Sequence, residues 1–361
     1  MKKVVAILIV ALLVVIGLFW LIHEFASQPC SNAHSQVVFE VLPGQPLAAV
    51  ASSLNKDGLV ENAKEFTWYA KFTGDAKRIK VGQYQLYKDM TPRQVLDVIT
   101  SGESIRYSLV VPEGDNIFEI REALNKLWPR RGDEFLQFVT NRANVRRITG
   151  HNWPSMEGYL FPDTYLITKY TPISVLVREM YSHFEQTIRQ IDQHESTRMS
   201  ERDQVILASM IEKETGDPKE RTIISSVFHN RLKIGMRLQS DPTIIYGLWL
   251  KTGRQPFDIT RADIAEKTAY NTYRIPALPP GPIANPGKAA LWAAVNPART
   301  QYLYFVSRNN GTHVFSKTYR EQERYVRMYQ LNPAARAGKS WRELSKKLMH
   351  ERNSGGKSAA H

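Results

Sequence analysis

One carboxylate in this sequence stands where a helix should be burying hydrocarbon. Between Ser200 and Gly216, Leu207, Met210 and Ile211 recur at spacings of three and four, the period of one helix face. The next position on that stripe is Glu214, four residues after Met210 and three after Ile211, so the side chains share a face. Glu212 points nearly the opposite way, with Val205 and Ala208. Ser200 is a good N-cap with Asp203 three residues on, and Gly216, Asp217 and Pro218 predict the end, a C′ glycine followed by a breaker. Glu214 is thereby expected on the inward side of the last turn. Burial disfavours its charged form, and so does the negative end of the helix dipole. A raised pKa follows, which suits a general acid working near neutral pH. The competing reading is a structural ion pair with a nearby cation such as Arg231.

Hydrogen-bonding side chains gather after this acid. A second helix, about Lys219 to Ile234, has Ile223, Ile224, Val227 and Phe228 on its apolar side and ends at Gly235, with Asn230 and Arg231 near its end. Asp241 then reads as an N-cap ahead of Pro242 at the first helical position, with Gln239, Ser240, Thr243 and Tyr246 around the turn. Further on, Pro276, Pro279, Pro280 and Pro282 rule out a regular helix. Tyr270, Asn271, Thr272 and Tyr273 therefore lie on a rigid loop that either binds amino sugars by hydrogen bonds and stacking or merely covers the core. So many polar groups near one inward acid suit a sugar-binding cleft. Classical glycosidases use two carboxylates. Here the acids between Ser200 and Gly247 other than Glu214 read as capping or outward residues, and Asp241 is the best second candidate, already explained by its cap. The nine histidines are scattered, with no HExxH and no CxxC, so neither a metal nor a cofactor is expected.

A chain of 361 residues has room for two folded domains plus extras. Its net charge of +13 admits nucleic acid, a membrane surface or an acidic polymer as partner. The N-terminus decides among them. After Lys2 and Lys3, Val4 to Ile22 is an uncharged run of about 19 residues, enough to span a bilayer. It is longer than a typical signal-peptide core and lacks a clear small-x-small cleavage site, so it reads as a retained anchor rather than a cleaved signal. Lysines before it and Glu24 after it put the N-terminus in the cytoplasm and the body outside, with Trp20 near the outer interface. An extracytoplasmic body argues against nucleic acid and for peptidoglycan, with its carboxylate-bearing peptides, or anionic lipid head groups. Cys30 alone cannot form an internal disulfide, so the fold must rest on its core.

Beyond the anchor, Val37–Leu42 and Val81–Leu86 read as strands. Helices are expected from Leu47 to Leu54, through Phe66, Tyr69 and Ala70, and from Pro92 to Gly102 with Thr91 as cap. Together these make a small α+β unit. A strand at Tyr107–Val111 and a turn at Pro112–Gly114 open a second domain, with helical spacing at Ile117–Leu127 and Ile173–Ile191. Thr260 with Asp263 marks a short capped helix, and another starts at Pro286. Tyr302–Val306 and Thr312–Phe315 read as a hairpin joined by RNNG, and Ser316 or Thr318 caps a last helix. Arginines 130, 131, 142, 146 and 147 read as a solvated basic face. Tyr159 and Tyr165 in EGYLFPDTY either stack on sugar rings or fill the core, and chemistry alone gives that segment no catalytic role.

Several long motifs in order make the chain recognisable. They are EGYLFPDTY (Glu157–Tyr165), LASMIEKETG (Leu207–Gly216), SVFHNRL, GMRLQSDPTIIYG, TAYNTYRIPALPPGPIANPG (Thr268–Gly287) and YLYFVSRNNGTHVFSKTY (Tyr302–Tyr319). Over nearly the whole chain this resembles the endolytic murein (lytic) transglycosylase, or YceG-like, family. The resemblance implies that the glutamate followed by threonine, Glu214, is the catalytic acid. It implies a lyase that cleaves the MurNAc–GlcNAc β-1,4 bond of nascent strands, leaves 1,6-anhydro-MurNAc ends and terminates strand elongation. Such a protein would be anchored by one span in the bacterial inner (cytoplasmic) membrane, with its catalytic domain periplasmic, beside the cell-wall synthesis machinery. The substrate-binding candidates are Asn230, Arg231, Gln239, Ser240, Asp241, Thr243, Tyr246, Tyr270, Asn271, Thr272 and Tyr273. The expected fold is α+β. Residues 1–36 are anchor and linker, 37–106 a small domain resembling a LysM-like module, 107–335 a larger α+β catalytic domain with a helical hairpin carrying Glu214, and 336–361 a basic, partly disordered tail. The small domain is otherwise a spacer. Two other functions stay open: a hydrolytic muramidase using Glu214 and Asp241, and a non-catalytic glycan-binding or division scaffold.

Overall fold

A computed structural model describes residues 2–192, 199–256 and 258–332, apart from the side chains of several residues near the N-terminus and of Asp192. The tail expected at 336–361 lies outside the described residues. The chain divides into two compact units, Met1–Leu109 with Leu166–Pro172, and Val110–Tyr165 with Ile173 onward.

The first unit begins with helix α1 (Lys2–Ser27). Strand β1 (Gln36–Val41), helices α2 (Leu47–Lys56) and α3 (Ala63–Phe72), strand β2 (Gly82–Tyr87) and helix α4 (Pro92–Ser101) follow. β1 and β2 pair antiparallel from Gln36 opposite Tyr87 to Val41 opposite Gly82. Alternation sends Phe39, Val41, Tyr84 and Leu86 inward, onto Leu54, Phe66, Leu96 and Ile99 of the helices. Local signals set the helix ends. Asn62 accepts from the backbone of Lys64 and Glu65, Thr91 forms a capping box with Gln94, and Gly102 closes α4 at φ +83°. The segment 166–172, expected inside the 107–335 domain, belongs to this unit instead. Lys169 Nζ and Tyr170 Oη both donate to Glu40 Oε1 at 2.7 Å, a tie between sequence-distant polar groups that no periodicity carries.

The last turn of α1 is built into this core: Ala26 is buried, and Ile22 and Phe25 pack against it. Earlier in the helix Leu8, Ile9, Val10, Leu12, Leu13, Ile16 and Trp20 are exposed. Among the described residues no helix is long and apolar enough to cross a membrane.

β3 (Tyr107–Val110) and β4 (Thr164–Ile167) pair with each other. The second unit holds α5 (Ile117–Leu127), α6 (Arg131–Val139), α7 (Arg142–Thr149), α8 (Ile173–Asp192), α9 (Glu201–Glu214), α10 (Arg221–Lys233), α11 (Asp241–Thr252), α12 (Arg261–Ala265) and α13 (Lys288–Val295). A hairpin of β5 (Tyr304–Ser307) and β6 (His313–Ser316), then α14 (Tyr319–Tyr325), capped by Thr318 and continued by a π-helical segment over Val326–Leu331, complete its described part. The element at its centre is α9, packed against α10, α11 and α13. Every residue from Gln204 to Ile211 is buried, so Val205 and Ala208, expected on an outward face, are inside as well. A helix covered all round shows no contrast between faces, and its small residues, Ala208 and Ser209, let neighbours approach closely. Tyr159 and Tyr165 prove to be core, each 1% exposed, and Tyr159 stacks on Trp153 at 3.9 Å. Arg130, Arg142, Arg146 and Arg147 are exposed, whereas Arg131 pairs with Glu134.

Candidate active site

Glu214 is the last residue of α9 and is half-buried. The helix does not stop on a left-handed glycine as expected. Thr215 turns extended, at φ −144° and ψ 139°. Its hydroxyl accepts from Asp217 N at 3.0 Å and donates to Glu220 Oε2 at 3.3 Å. Glu220 in turn accepts from the backbone N–H and the Nδ1 of His313, both at 2.7 Å. Side chains thus do the work of a glycine cap and fix the backbone directly after the acid.

The Glu214 carboxyl is pushed up to about 7. Burial is the main cause and the negative charge of Asp241 adds to it, while a hydrogen bond from Ser240 and the charge of Arg231 oppose. Ser240 Oγ donates to Glu214 Oε1 at 2.5 Å. The ion-pair reading is not realised, because Glu214 makes no salt bridge among the described residues. Arg231 spends Nε on the carbonyl of Leu303 and Nη1 on that of Leu238, each at 2.6 Å, and lies over the ring of Tyr304.

Ser240 is held in turn by the loop that follows α12. Its N–H donates to Thr272 Oγ1 at 2.9 Å, its carbonyl accepts from Thr243 Oγ1 at 2.6 Å, and Gln239 N donates to Thr272 O at 3.2 Å. The N-cap of α11 is Ser240, without a side-chain cap bond, and Asp241 is the first helical residue. The expected N-cap role of Asp241 is therefore corrected by one position, which frees its carboxylate from capping. It is exposed and accepts from Tyr273 Oη at 2.7 Å. Gln239 is exposed and sits at φ +51°, a left-handed conformation that costs a non-glycine residue on the order of 1 kcal/mol and collects at functional sites.

The remaining candidates divide by burial. Thr243, Asn271 and Thr272 are 0% exposed, which leaves them no surface for a substrate. Asn271 instead donates to the carbonyls of Asp263, Ile264 and Glu266 and accepts from Tyr273 N, tying the loop together. Asn230 donates to the carbonyls of Thr300 and Tyr302. Tyr246 is buried against Glu157, and half-buried Tyr270 packs on it with ring centres 5.1 Å apart. Among the candidates, hydrogen bonds pair Glu214 with Ser240 and Asp241 with Tyr273, and Gln239 is exposed just before them in the chain.

Three supporting residues escaped the sequence reading. Glu157 is 2% exposed, accepts from Ile117 N at 3.1 Å, and is raised to about 8, chiefly by burial. Asn285, fully buried, accepts from Gly158 N at 2.9 Å and Leu160 N at 3.0 Å and donates to Asp115 O at 2.8 Å. It joins three loops, one of which needs Gly158 at φ +87°, where a Cβ would lie 2.5 Å from Pro282. Glu212, expected to point outward, has a side chain only 5% exposed. It accepts from Arg221 Nη2 at 2.9 Å and Gly287 N at 3.0 Å. An acid opening the apolar EGYLF run is the one sequence signal for Glu157. A cavity of about 10 Å³ between Trp153, Glu157, Tyr159, Arg202 and Tyr270 holds about one water and no sugar ring.

Residues 39–328 match the model of the YceG-like family. The endolytic murein transglycosylase of Bacillus subtilis is 31% identical over 320 residues, covering 82% of this chain and 86% of that protein. That of Streptococcus pneumoniae D39 is 28% identical over 312 residues, 77% of this chain, which spans just over half (55%) of that protein's length. A crystal structure of a putative YceG-like protein from Listeria monocytogenes matches with a TM-score of 0.54 at 28% identity, over 81% of this chain and 100% of that one. The mixed α+β fold agrees with that structure. With most of its length inside the family model and a relative above 30% identity aligned over more than four fifths of both chains, this chain belongs to the YceG-like family.

Proposed function

We propose that this chain is an endolytic peptidoglycan lytic transglycosylase in which Glu214 serves first as acid and then as base. The observation that carries the reading is a half-buried carboxyl whose pKa of about 7 keeps it protonated up to neutral pH, at the edge of an exposed polar surface. The names of the relatives point the same way. Glu214 donates its proton to the oxygen bridging N-acetylmuramic acid and N-acetylglucosamine. The C1–O bond breaks with its electron pair passing to that oxygen, and C1 takes oxocarbenium character. The Glu214 carboxylate then removes the proton of the muramyl 6-hydroxyl, whose oxygen closes on C1 as a 1,6-anhydro ring. The proton is back on Glu214 and no water is consumed. Asp241, held by Tyr273, is placed to favour both the protonated acid and the cationic transition state. Gln239 presents amide groups to the sugar from its left-handed turn.

Val4 to Ile22 is read as the span that anchors the chain in the inner membrane, the body periplasmic, and the exposed apolar side chains of α1 support this. The first unit is read as a LysM-like module, supported by its two helices set between paired antiparallel strands. Cleavage of nascent strands beside the synthesis machinery would follow from such an anchor.

A second reading draws on Asp241. Because its carboxylate is exposed and does not cap α11, it can activate a water, making the protein a hydrolytic muramidase. Mass spectrometry of products from purified peptidoglycan decides. Anhydro-muramyl ends from the wild type, reduced about 10² to 10⁴-fold or more by Glu214→Gln in a folded protein, are expected. Reducing ends would transfer the assignment to the hydrolase. Undiminished cleavage by Glu214→Gln would remove this residue from the chemistry.

A further inference from the structure

The first unit carries an exposed aromatic stripe that nothing in its fold requires. On α3, Phe66, Tyr69 and Ala70 face the core, and Lys64, Trp68 and Phe72 follow one another at the helical spacing of four on another face, flanked by Lys71 on one side and by exposed Glu65 on the other. Trp68 is 47% exposed and Phe72 57%. Their rings stack with centres 5.5 Å apart. Neither Lys64 nor Lys71 forms an ion pair among the described residues. Trp, Phe and Lys on one stripe are the residue types that a helix lying in a membrane interface presents.

The position of the stripe says what covers it. α1 packs against α3 and α4, and Phe25 near its end meets the ring of Tyr69, the neighbour of Trp68, at 5.9 Å. Trp20, exposed near the end of α1, lies five residues before Phe25. At 1.5 Å per residue that is an axial rise of about 7.5 Å. The headgroup region on one side of a bilayer is roughly 5–7 Å thick. With Trp20 at the hydrocarbon boundary, Phe25 and the α3 ring it meets, Tyr69, lie near the outer edge of the head groups.

We propose that the Lys64–Trp68–Phe72 stripe rests on the anionic phospholipid surface of the membrane that holds α1, so that the first unit lies on the bilayer instead of hanging from a free tether. The proposal depends on the anchor reading above. Docking the end of α1 into the core makes it possible, because a rigid junction fixes which face of the unit meets the lipid.

The test uses the full chain with Cys30→Ala and a single introduced cysteine, Phe72→Cys or, for comparison, Glu103→Cys, each labelled with an environment-sensitive fluorophore. The proteins are reconstituted in phosphatidylcholine–phosphatidylglycerol vesicles, and flotation reports anchoring independently. The expected result is a blue shift and loss of most of the emission at position 72 when lipids spin-labelled in the head group are included, with much weaker quenching at 103. A chain that floats but is not quenched at 72 overturns the surface contact and leaves the anchor standing. A chain that does not float overturns both. Emission at 72 that is indifferent to spin-labelled lipid but responds to added peptidoglycan fragments assigns the stripe to glycan and also overturns the proposal.

Discussion

Removing the hydroxyl that touches Glu214 should make the protein work at higher pH. Ser240 Oγ donates to Glu214 at 2.5 Å, and this bond favours the charged carboxylate. A hydrogen bond to a charged group contributes about 1.5–3 kcal/mol and one to a neutral group about 1 kcal/mol, so Ser240→Ala removes roughly 1 kcal/mol of preference for the ionised form. At 1.36 kcal/mol per pH unit this moves the Glu214 pKa from about 7 to roughly 7.7. The acid must be protonated to start the reaction, so the alkaline limb of kcat/KM should move up by the same amount. At about pH 8 the variant would keep roughly three to four times the protonated fraction of the wild type. Because the Ser240 side chain does not cap α11, the helix should survive the change, which circular dichroism can verify. Asp241→Asn removes a like charge and should move the limb the other way, toward lower pH. The assay is the rate of release of anhydro-muramyl products across pH. A limb that stays in place or falls in Ser240→Ala, or rises in Asp241→Asn, would refute the assignment of that limb to Glu214.

Two stability measurements probe the shell behind the site. The Glu157 carboxyl is raised from 4.5 to about 8, so the folded protein holds a proton there that the unfolded chain has already released. Its contribution is full below about 4.5 and is lost as pH rises through about 8, a penalty of order 5 kcal/mol at most. Glu157→Gln should flatten the decline of unfolding free energy between those pH values, and an unchanged slope in denaturant titrations would count against a buried neutral acid. Asn285→Ala strands the buried N–H groups of Gly158 and Leu160, at about 1–3 kcal/mol each. At 2–4 °C per kcal/mol, thermal unfolding should drop by roughly 10 °C, and a fall under about 2 °C would mean the loops are held by something else.

Much of the scaffold was legible from local signals. The caps at Ser200, Thr91, Thr260 and Thr318, the glycine closing α4, and the apolar spacing of α2, α3, α5 and α8 are short-range effects, settled within a turn or two of chain. Such signals also placed Glu214 at the end of its helix, where burial raises its pKa. Tertiary structure decided the rest. Period alone presented α9 as one-sided, but neighbours cover its other faces, and Glu212, assigned to solvent, is locked to Arg221. The expected glycine cap gave way to a tie between Thr215, Glu220 and His313, residues brought together only by the β5–β6 hairpin. The side chain that touches the acid, Ser240, lies 26 residues from it, and Asn285 reaches back 127 residues to Gly158. Hydrogen bonds across such separations leave no periodic trace, because either partner reads as an ordinary polar residue until the packing of helices brings the other to it. The sequence by itself determined which groups could do the chemistry and which elements would carry them. Only the packed fold decided which polar groups face the sugar and which are spent holding the others in place.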